Sequence, residues 1–369
     1  MKVAFVQDWL TVNGGAEKVA KEILNCFEEV DVFALFDFLS DQDRKEIIKG
    51  KQSKTSFIQK LPFAQKAYRN YLPLFPKAIE SINFEGYDLI ISSSYSVAKG
   101  LKKATPKQVH VCYCHSPIRY AWDLEDEYLS HISGLKKILA RYFLKYIRKW
   151  DLKTANRPDH YLTNSNFVAE RIQRIYKQNA RVIYPPIDTT SFAHHEQKEN
   201  YYLTSSRLVA YKKIDLIVKA FKDLPHLKLI VSGDGPELNN LKEMATDNVQ
   251  FVGFVEKPQL IEYIQKAKAF ILAAEEDFGI TSIEAQSCGT PVIAYKKGGY
   301  LETVIENKTG VFFEEQTPKS IAQAVADFES KKLTFTKEDF MKNVQRFSIE
   351  RFKVEFNSFI KEHAPFSHT

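Results

Sequence analysis

AAEEDFGITSIEAQSCGTPVIAYKKGG, residues 273–299, is the stretch that decides the fold. It starts at the end of an apolar run, Ala269–Ala273, which predicts a buried strand, and takes helical spacing from about Thr281. The turn between strand and helix contains Phe278-Gly279, and the backbone N–H groups at such a helix start suit a phosphate. The stretch therefore predicts a strand–turn–helix unit with an anion site at its turn.

Two glutamates frame this turn, Glu276 before the helix and Glu284 about one turn into it. Eight residues of helix would separate them by up to roughly 12 Å. That is about the reach needed to hold a sugar at one end of a diphosphate and a ribose at the other. A carboxylate accepts hydrogen bonds from paired hydroxyls, so glutamate suits both tasks. The alternative for Glu276 is a solvated acid on a loop.

Strand-like and helical segments alternate along the whole chain, which predicts βαβ units with parallel sheets. A Pro-Pro turn at Pro185–Pro186 interrupts the alternation. We therefore expect an amino-terminal domain over 1–188, a carboxyl-terminal domain over 189–340 and a final helical segment over 341–369 that packs back toward the first domain. Two such domains create a cleft, and open α/β sheets bind ligands at the carboxyl ends of their strands. The predicted strands are Val3–Val6, Asp31–Leu35, Asp88–Ser92, Gln108–Tyr113, His160–Thr163, Tyr201–Ser205, Lys228–Ser232, Val249–Val252, Ala269–Ala273, Pro291–Ala294 and Gly310–Phe313.

Three further loops follow predicted strands. Arg207 and Lys212, in the first loop of the second half, would neutralise a diphosphate leaving group, although ordinary surface cations fit them equally well. Gly14 and Gly15 after the first strand would let the backbone approach a ligand closely. They match neither GxGxxG nor the P-loop, so a plain strand–helix turn is the alternative. Gly233 lies in another glycine-rich loop after a predicted strand, and alone it is an equally weak indication of a ligand-binding loop.

Two more patterns concern a histidine and a metal. His115 follows a predicted strand, where its imidazole would bond a sugar hydroxyl, and a structural histidine is the alternative. Asp41-Gln42-Asp43 has the DxD form associated with metal-bound sugar nucleotides, but it follows no phosphate loop. A helix start with ordinary acids is favoured there, and we predict no metal cofactor.

Composition limits the class of protein further. The chain has 369 residues and is 44% hydrophobic, enough to bury two cores. No apolar run approaches the roughly 18–20 residues of a spanning helix, and the start predicts a strand rather than a signal peptide. Four cysteines without metal spacing favour a reduced, cytoplasmic protein.

The net charge of +6 is unevenly distributed. Residues 1–185 carry 29 basic and 20 acidic side chains, and the remainder carries 23 and 26. A basic amino-terminal half suggests an anionic partner there, either a phosphate-bearing acceptor, a membrane surface or nucleic acid. No nucleic-acid-binding motif is recognisable, so nucleic acid is not expected.

A basic amphipathic segment lies near residues 135–150 and predicts a helix with one apolar stripe. This helix, with Lys60, Lys66, Arg69 and Lys77 upstream, would rest on an anionic membrane or meet a lipid diphosphate. The alternative is a core-facing helix whose basic face is solvated. The apolar stripe comprises Leu135, Ile138, Leu139, Tyr142, Phe143, Tyr146 and Trp150, and the cations are Lys136, Lys137, Arg141, Lys145, Arg148 and Lys149.

Together these residues resemble glycosyltransferase family 4, a retaining group with the GT-B fold, in which two Rossmann-like domains face a central cleft. Glu276 and Glu284 fit its E-x7-E motif, which continues as E-A-x-x-x-G-x-P-V-I-A over 284–294. The resemblance covers nearly the whole chain. Its remaining positions are the donor-phosphate pair Arg207 and Lys212, the glycine loop Gly14-Gly15 and the Asn164-Ser165 segment that ends the first domain.

The resemblance implies roles at these positions. Glu276 would contact the donor sugar beside its anomeric centre, Glu284 would hold the ribose, and His115 would lie near the sugar's 6-hydroxyl. Arg207 and Lys212 would bind the diphosphate, and the nucleobase would lie near residues 253–255. Other implied donor contacts are Gly14, Gly15, Gly233, Val255, Phe278, Gly279, Ile280 and Thr281.

A narrower resemblance, to bacterial O-antigen and capsule mannosyltransferases, rests on Glu-Glu-Asp-Phe-Gly-Ile at 275–280 and on the run from His115 to Trp122. It implies a metal-independent enzyme that moves a hexose, mannose from GDP-mannose by preference, onto a lipid-linked or polysaccharide acceptor at the cytoplasmic face of the inner membrane. The alternatives are a retaining enzyme that uses a UDP-sugar and a non-enzymatic nucleotide-sugar sensor. Lys213 and Thr281 differ from the residues usual in the family at these positions, so the resemblance does not decide the identity of the donor.

Overall fold

The structure, a computed structural model, describes residues 1–123, 125, 129, 133–331 and 333–364. It contains two compact units: unit 1 comprises Met1–Pro186 and the chain from Ile349, and unit 2 comprises Ile187–Ser348. The boundary expected after residue 188 thus lies after Pro186. Of the segment expected over 341–369, residues 341–348 belong to unit 2, and residues 365–369 lie outside the described residues.

Unit 1 contains a seven-stranded sheet with strand order β3-β2-β1-β4-β5-β6-β7, in which all neighbours are parallel. β1 is buried along its whole length, because Phe5 packs into one apolar cluster and Ala4 and Val6 into another. The strands are β1 Val3–Gln7, β2 Asp31–Ala34, β3 Lys54–Thr55, β4 Leu89–Ser94, β5 Val109–Cys114, β6 His160–Thr163 and β7 Ala180–Val182.

The two edge strands of this sheet, β3 and β7, were absent from the sequence prediction. Both β3 residues are exposed, and β7 has only three residues, none of them buried. Neither strand carries an apolar run, so periodicity gives no signal for them. The helices that follow in unit 1 are α1 Gly15–Leu24, α2 Asp41–Ile48, α3 Ala64–Ala67, α4 Phe75–Glu80, α5 Gly134–Lys153 and α6 Asn166–Tyr176.

Unit 2 contains a six-stranded parallel sheet with strand order β10-β9-β8-β11-β12-β13. All six strands lie within one residue of their predicted bounds. They are β8 Tyr201–Ser205, β9 Lys228–Ser232, β10 Val249–Gly253, β11 Ala269–Leu272, β12 Val292–Tyr295 and β13 Gly310–Phe313. The helices are α7 Ile214–Ala220, α8 Leu238–Met244, α9 Lys257–Lys266, α10 Ile280–Ser287, α11 Tyr300–Thr303, α12 Pro318–Ser330 and α13 Lys337–Gln345.

The strand order reverses direction once in each sheet, between β1 and β4 in unit 1 and between β8 and β11 in unit 2. The loops that leave two such strands diverge to opposite faces of the sheet and open a crevice at their carboxyl ends. The predicted anion loops follow β1, β8 and β11. The predicted pair of parallel, doubly wound α/β domains is confirmed.

The last described helix, α14 Ile349–His363, returns to unit 1. Phe352, Phe356 and Phe359 are buried in the same apolar cluster as β1 and β4. The final helical segment expected over 341–369 is not continuous, because a break separates α13 from α14. α13 ends at Gln345, and the buried Phe347 contacts Phe278 of unit 2 at a ring separation of 5.4 Å.

No helix in the described ranges combines the length and the apolar composition that crossing a membrane requires.

A buried histidine makes the stability of unit 1 depend on pH. His110 in β5 is fully buried, its Nε2 lies 2.8 Å from Ser92 Oγ, and burial lowers its pKa from 6.5 to about 3. Between pH 6.5 and about pH 3, His110 is therefore protonated in the unfolded chain and neutral in the folded chain. We predict that the contribution of His110 to the free energy of unfolding decreases as pH falls from 6.5 toward 3.

The measurement is urea unfolding followed by tryptophan fluorescence, because all three tryptophans, Trp9, Trp122 and Trp150, lie in unit 1. His110→Gln should flatten the decrease over this pH range. The same change at the exposed His226 of unit 2 should leave it unaltered. Equal slopes for His110→Gln and the unmodified protein would contradict the assignment.

Candidate functional site

The turn after β11 is held in place by a second loop of unit 2. Gly299 N donates to Glu276 O at 2.8 Å, and a β-bridge joins Glu276 to Gly298. A Cβ on Gly299 would lie 2.3 Å from Phe278 Cα, so only glycine permits this approach. The 298–299 loop therefore supports the backbone that carries Glu276.

The helix start predicted for this turn lies at α10. Gly279 caps the helix in the left-handed region, with φ 88°, and a Cβ there would lie 2.6 Å from the buried Tyr300 ring. Ile280 and Thr281 form the first turn, whose amides have no acceptor within the helix. Phe278 is buried against Phe347, so only its backbone can face a ligand.

The structure brings Lys212 and Glu276 together. Lys212 Nζ lies 2.5 Å from Glu276 Oε1, and both side chains are about one-fifth to one-quarter exposed, at 25% and 19%. Lys212 follows β8 and Glu276 follows β11, so the contact spans the point where the strand order reverses. A cation and a carboxylate thus meet where the sequence predicted a diphosphate site.

The structure places two further predicted charges in unit 2. Arg207 is exposed in the loop after β8, and Glu284 is half-buried inside α10. Val255 is half-buried just after β10. The ligand contacts proposed for these three side chains stay predictions.

Gly233 has a structural function that the sequence did not predict. A Cβ on Gly233 would lie 1.9 Å from Ser206 O, and one on Gly235 would lie 2.3 Å from Leu208 O. Leu208 N also donates to Asp234 O at 2.9 Å. These glycines allow the loop after β9 to pack against the loop that carries Arg207 and Lys212. Their close approach is to the protein's own backbone.

In unit 1, the glycine loop after β1 is closed by a buried glutamate. Gly14 N donates to Glu17 Oε2 at 3.2 Å, and Gln7 Nε2 donates to Glu17 Oε1 at 3.1 Å. Burial raises the pKa of Glu17. The Gly14 amide is therefore already used within the chain, whereas Gly15 is exposed. The ligand contacts of both glycines stay predictions.

His115 follows β5 and is half-buried. Its Nε2 lies 2.8 Å from Ser93 Oγ, its ring centroid lies 5.1 Å from that of Tyr113, and its carbonyl accepts a hydrogen bond from Asn164 Nδ2. These contacts orient the imidazole at the carboxyl end of the strand. Its contact with a donor sugar stays a prediction.

Sequence reasoning missed Asp8, which connects the two strands at the reversal point of unit 1. Asp8 is fully buried directly after β1, and its carboxylate accepts four backbone N–H bonds, of 2.6 to 2.8 Å, from Tyr95, Ser96, Val97 and Ala98. Burial raises its pKa to about 6, and the four amides oppose the rise. A lone acid after a strand gives no sequence signal that distinguishes it from a solvated one.

Phe254 lies in the range 253–255 that the resemblance assigned to the nucleobase, and its side chain is 72% exposed directly after β10. An exposed aromatic ring at the carboxyl end of a strand is a surface on which a planar base can stack. The signal available in the sequence was its position between Gly253 and Val255.

The DxD pattern is a helix start, as predicted. Asp41 and Asp43 belong to the first turn of α2, and Ser40 Oγ accepts from Asp43 N at 3.1 Å. Across the described residues, no group of three or more His, Cys, Asp and Glu side chains is placed to hold a metal ion.

Comparisons with known proteins cover both units. Residues 13–191 match Glycosyltransferase Family 4, and residues 187–347 match Glycosyl transferases group 1. A GDP-mannose-dependent alpha-(1-6)-phosphatidylinositol monomannoside mannosyltransferase of Mycolicibacterium smegmatis is 31% identical over 172 residues, which cover 39% of this chain and 45% of that protein. The alpha-1,3/1,6-mannosyltransferase ALG2 of Kluyveromyces lactis is 26% identical over 372 residues, covering 83% of this chain and 71% of ALG2. The chain spans about half the length of the first curated relatives it matches.

Among solved structures, Anabaena HepE in complex with UDP is similar, with a TM-score of 0.70 and 17% sequence identity. The match covers 98% of this chain and 100% of HepE. At this identity the likeness shows the fold alone.

We predict that Asp8→Asn destabilises unit 1 by about 2–4 kcal/mol, because the amide nitrogen would face donor N–H groups that the carboxylate now satisfies. The measurement is urea unfolding followed by tryptophan fluorescence. Asp41→Asn, the same chemical change at an exposed position, is the matched control, and we expect less than about 0.5 kcal/mol there. Equal effects at the two positions would show that the four-amide contact is not stabilising.

Proposed function

We propose that this chain, which matches a family 4 model over residues 13–191 and a group 1 model over residues 187–347, is a glycosyltransferase with the GT-B fold that transfers a hexose with retention from a nucleoside diphosphate sugar. The observation that carries the proposal is the 2.5 Å contact between Lys212 and Glu276 at the carboxyl ends of β8 and β11. The ammonium of Lys212 suits the negative charge of a leaving diphosphate, and the carboxylate of Glu276 suits hydrogen bonds from sugar hydroxyls.

The proposed reaction is a front-side substitution. The bond between the anomeric carbon and the phosphate oxygen breaks, and the acceptor oxygen bonds to the same face of that carbon. The acceptor's proton passes to the departing phosphate, so no side chain is needed as a base. Lys212 and Arg207 stabilise the negative charge that develops on the phosphate. The step requires no metal.

Donor binding changes the pairing of Lys212. Without a donor, its ammonium is held by Glu276; with a donor, the diphosphate takes the ammonium, and the carboxylate becomes available to the sugar. The amides at the start of α10 bind the phosphates, and the Phe254 ring stacks on the base. Both groups follow strands of unit 2, as Lys212 and Glu276 do.

The donor that we propose is GDP-mannose. The support is that the Mycolicibacterium smegmatis relative is named as GDP-mannose-dependent and that ALG2 is also named as a mannosyltransferase. HepE was crystallised with UDP and with UDP-glucose, so a UDP-sugar is the second candidate. A non-enzymatic sensor is the third, and the turnover experiment below addresses it.

The acceptor that we propose is a lipid-linked glycan of a bacterial surface polysaccharide, such as O-antigen or capsule, reached at the cytoplasmic face of the inner membrane. The support is the phosphatidylinositol-linked substrate in the name of the mycobacterial relative and the basic character of residues 1–185.

We predict that Glu276→Gln lowers turnover at least about 100-fold while free GDP or UDP still binds, because the sugar loses its carboxylate and the phosphates keep Lys212. The measurement is release of the nucleoside diphosphate in the presence of acceptor. Glu275→Gln is the matched control: its carboxylate lies 2.9 Å from Lys297 instead, and turnover should change less than about twofold. Near-normal turnover in Glu276→Gln would favour the sensor.

A thermal-shift screen against nucleotide sugars should identify the donor, because a ligand that binds only the folded state raises the melting temperature. We expect GDP-mannose to give the largest increase. Lys212→Met should reduce the increase for every nucleotide sugar, whereas Lys296→Met, at a lysine paired with Glu314, should leave it unchanged. A larger increase with a UDP-sugar would replace the proposed donor, and none with any nucleotide sugar would reject donor binding.

A further inference from the structure

The apolar stripe of α5 faces solvent. Leu135, Ile138 and Tyr142 are 71%, 66% and 69% exposed, and Leu139, Phe143 and Tyr146 are exposed as well. Trp150, predicted to belong to this stripe, is buried instead. The core-facing alternative for this helix is therefore wrong for all of the stripe except Trp150.

The opposite face of α5 holds the helix firmly in unit 1. Leu144 and Ile147 are buried, and Trp150 Nε1 donates to Glu80 Oε1 at 2.9 Å. Asp151 forms a fully buried ion pair with Lys99, in which Nζ and Oδ1 are 2.9 Å apart. The stripe is exposed because the helix has a second, better-packed face and not because the helix is detached.

The charges that α5 itself carries are almost all positive. The helix carries seven Lys and Arg side chains and a single acid, Asp151, which is buried. Arg141 and Arg148 form ion pairs with Glu125. Lys136, Lys145, Lys149 and Lys153 are exposed, so their ammonium groups flank the stripe in solvent.

We propose that the exposed face of α5 docks on an anionic lipid bilayer, with the stripe buried among acyl chains and the lysines on lipid phosphates. A second copy of the chain is a poorer occupant, since a twofold interface would bring these lysines against one another. Nucleic acid is also a poorer occupant, because its phosphate backbone offers no apolar surface for the exposed Leu135 and Ile138. The aromatic rings of Tyr142 and Tyr146 suit the boundary between headgroups and acyl chains. The inference rests on the proposed lipid-linked acceptor.

The test is co-sedimentation of the full chain with vesicles of phosphatidylcholine alone and of phosphatidylcholine mixed with phosphatidylglycerol. We expect the anionic vesicles to bind at least about tenfold more tightly, and high salt to weaken the binding. Ile138→Ser/Tyr142→Ser should lower the affinity at least about tenfold. Both side chains are exposed, so the melting temperature should not change.

The matched control is Val354→Ser/Met341→Ser, which removes two apolar side chains that are 70% and 59% exposed on other helices. Its vesicle affinity should stay within about twofold of the unmodified protein. Equal loss in both double variants, no binding to anionic vesicles, or a dimer in solution that only Ile138→Ser/Tyr142→Ser dissociates would each overturn the proposal. The melting-temperature increase with nucleotide sugar, measured on the same variants, separates failure of this surface from failure of the donor site.

Discussion

The geometry of unit 2 depends on two places where backbone meets backbone with no space for a side chain. One lies between Gly233 and Ser206, and the other lies between Gly299 and Phe278. Each contact ties a loop that follows one strand to the loop of another, so the Lys212 loop is supported by the loop after β9 and the Glu276 loop by the loop after β12. Rigid loops are what a charged pair needs to keep a fixed separation before a ligand arrives.

In unit 1, loops that follow different strands are also held together, but by hydrogen bonds to a side chain. There the loops after β1 and β4 are joined by the buried carboxylate of Asp8, which satisfies four amides at once. A buried acid with four donors is costly to replace by any other side chain, whereas a close backbone approach is intolerant only of Cβ. The two units thus share one order for six strands, to which unit 1 adds β7, but they differ in the interactions that hold their loops.

The sequence predicted the parts of this protein that depend on local pattern. Buried strands such as β8 to β13 have apolar runs bounded by turns, and the Glu276 turn has a motif. Edge strands β3 and β7 lack such runs, and the function of Asp8 depends on amides that are 87 or more residues away. The sequence pattern also did not predict that the stripe of α5 faces solvent. A helix with two apolar faces has no periodicity that shows which face packs against the core.

The return of α14 to unit 1 has a consequence for synthesis on the ribosome. The apolar cluster around β1 and β4 is completed by Phe352, Phe356 and Phe359, which leave the ribosome only after the whole of unit 2. Because domains generally fold in order as they emerge, the first unit to appear is the last to close its core. Until then its unfilled groove is a surface to which chaperones can bind, and translation that stops before Ile349 would leave that groove open.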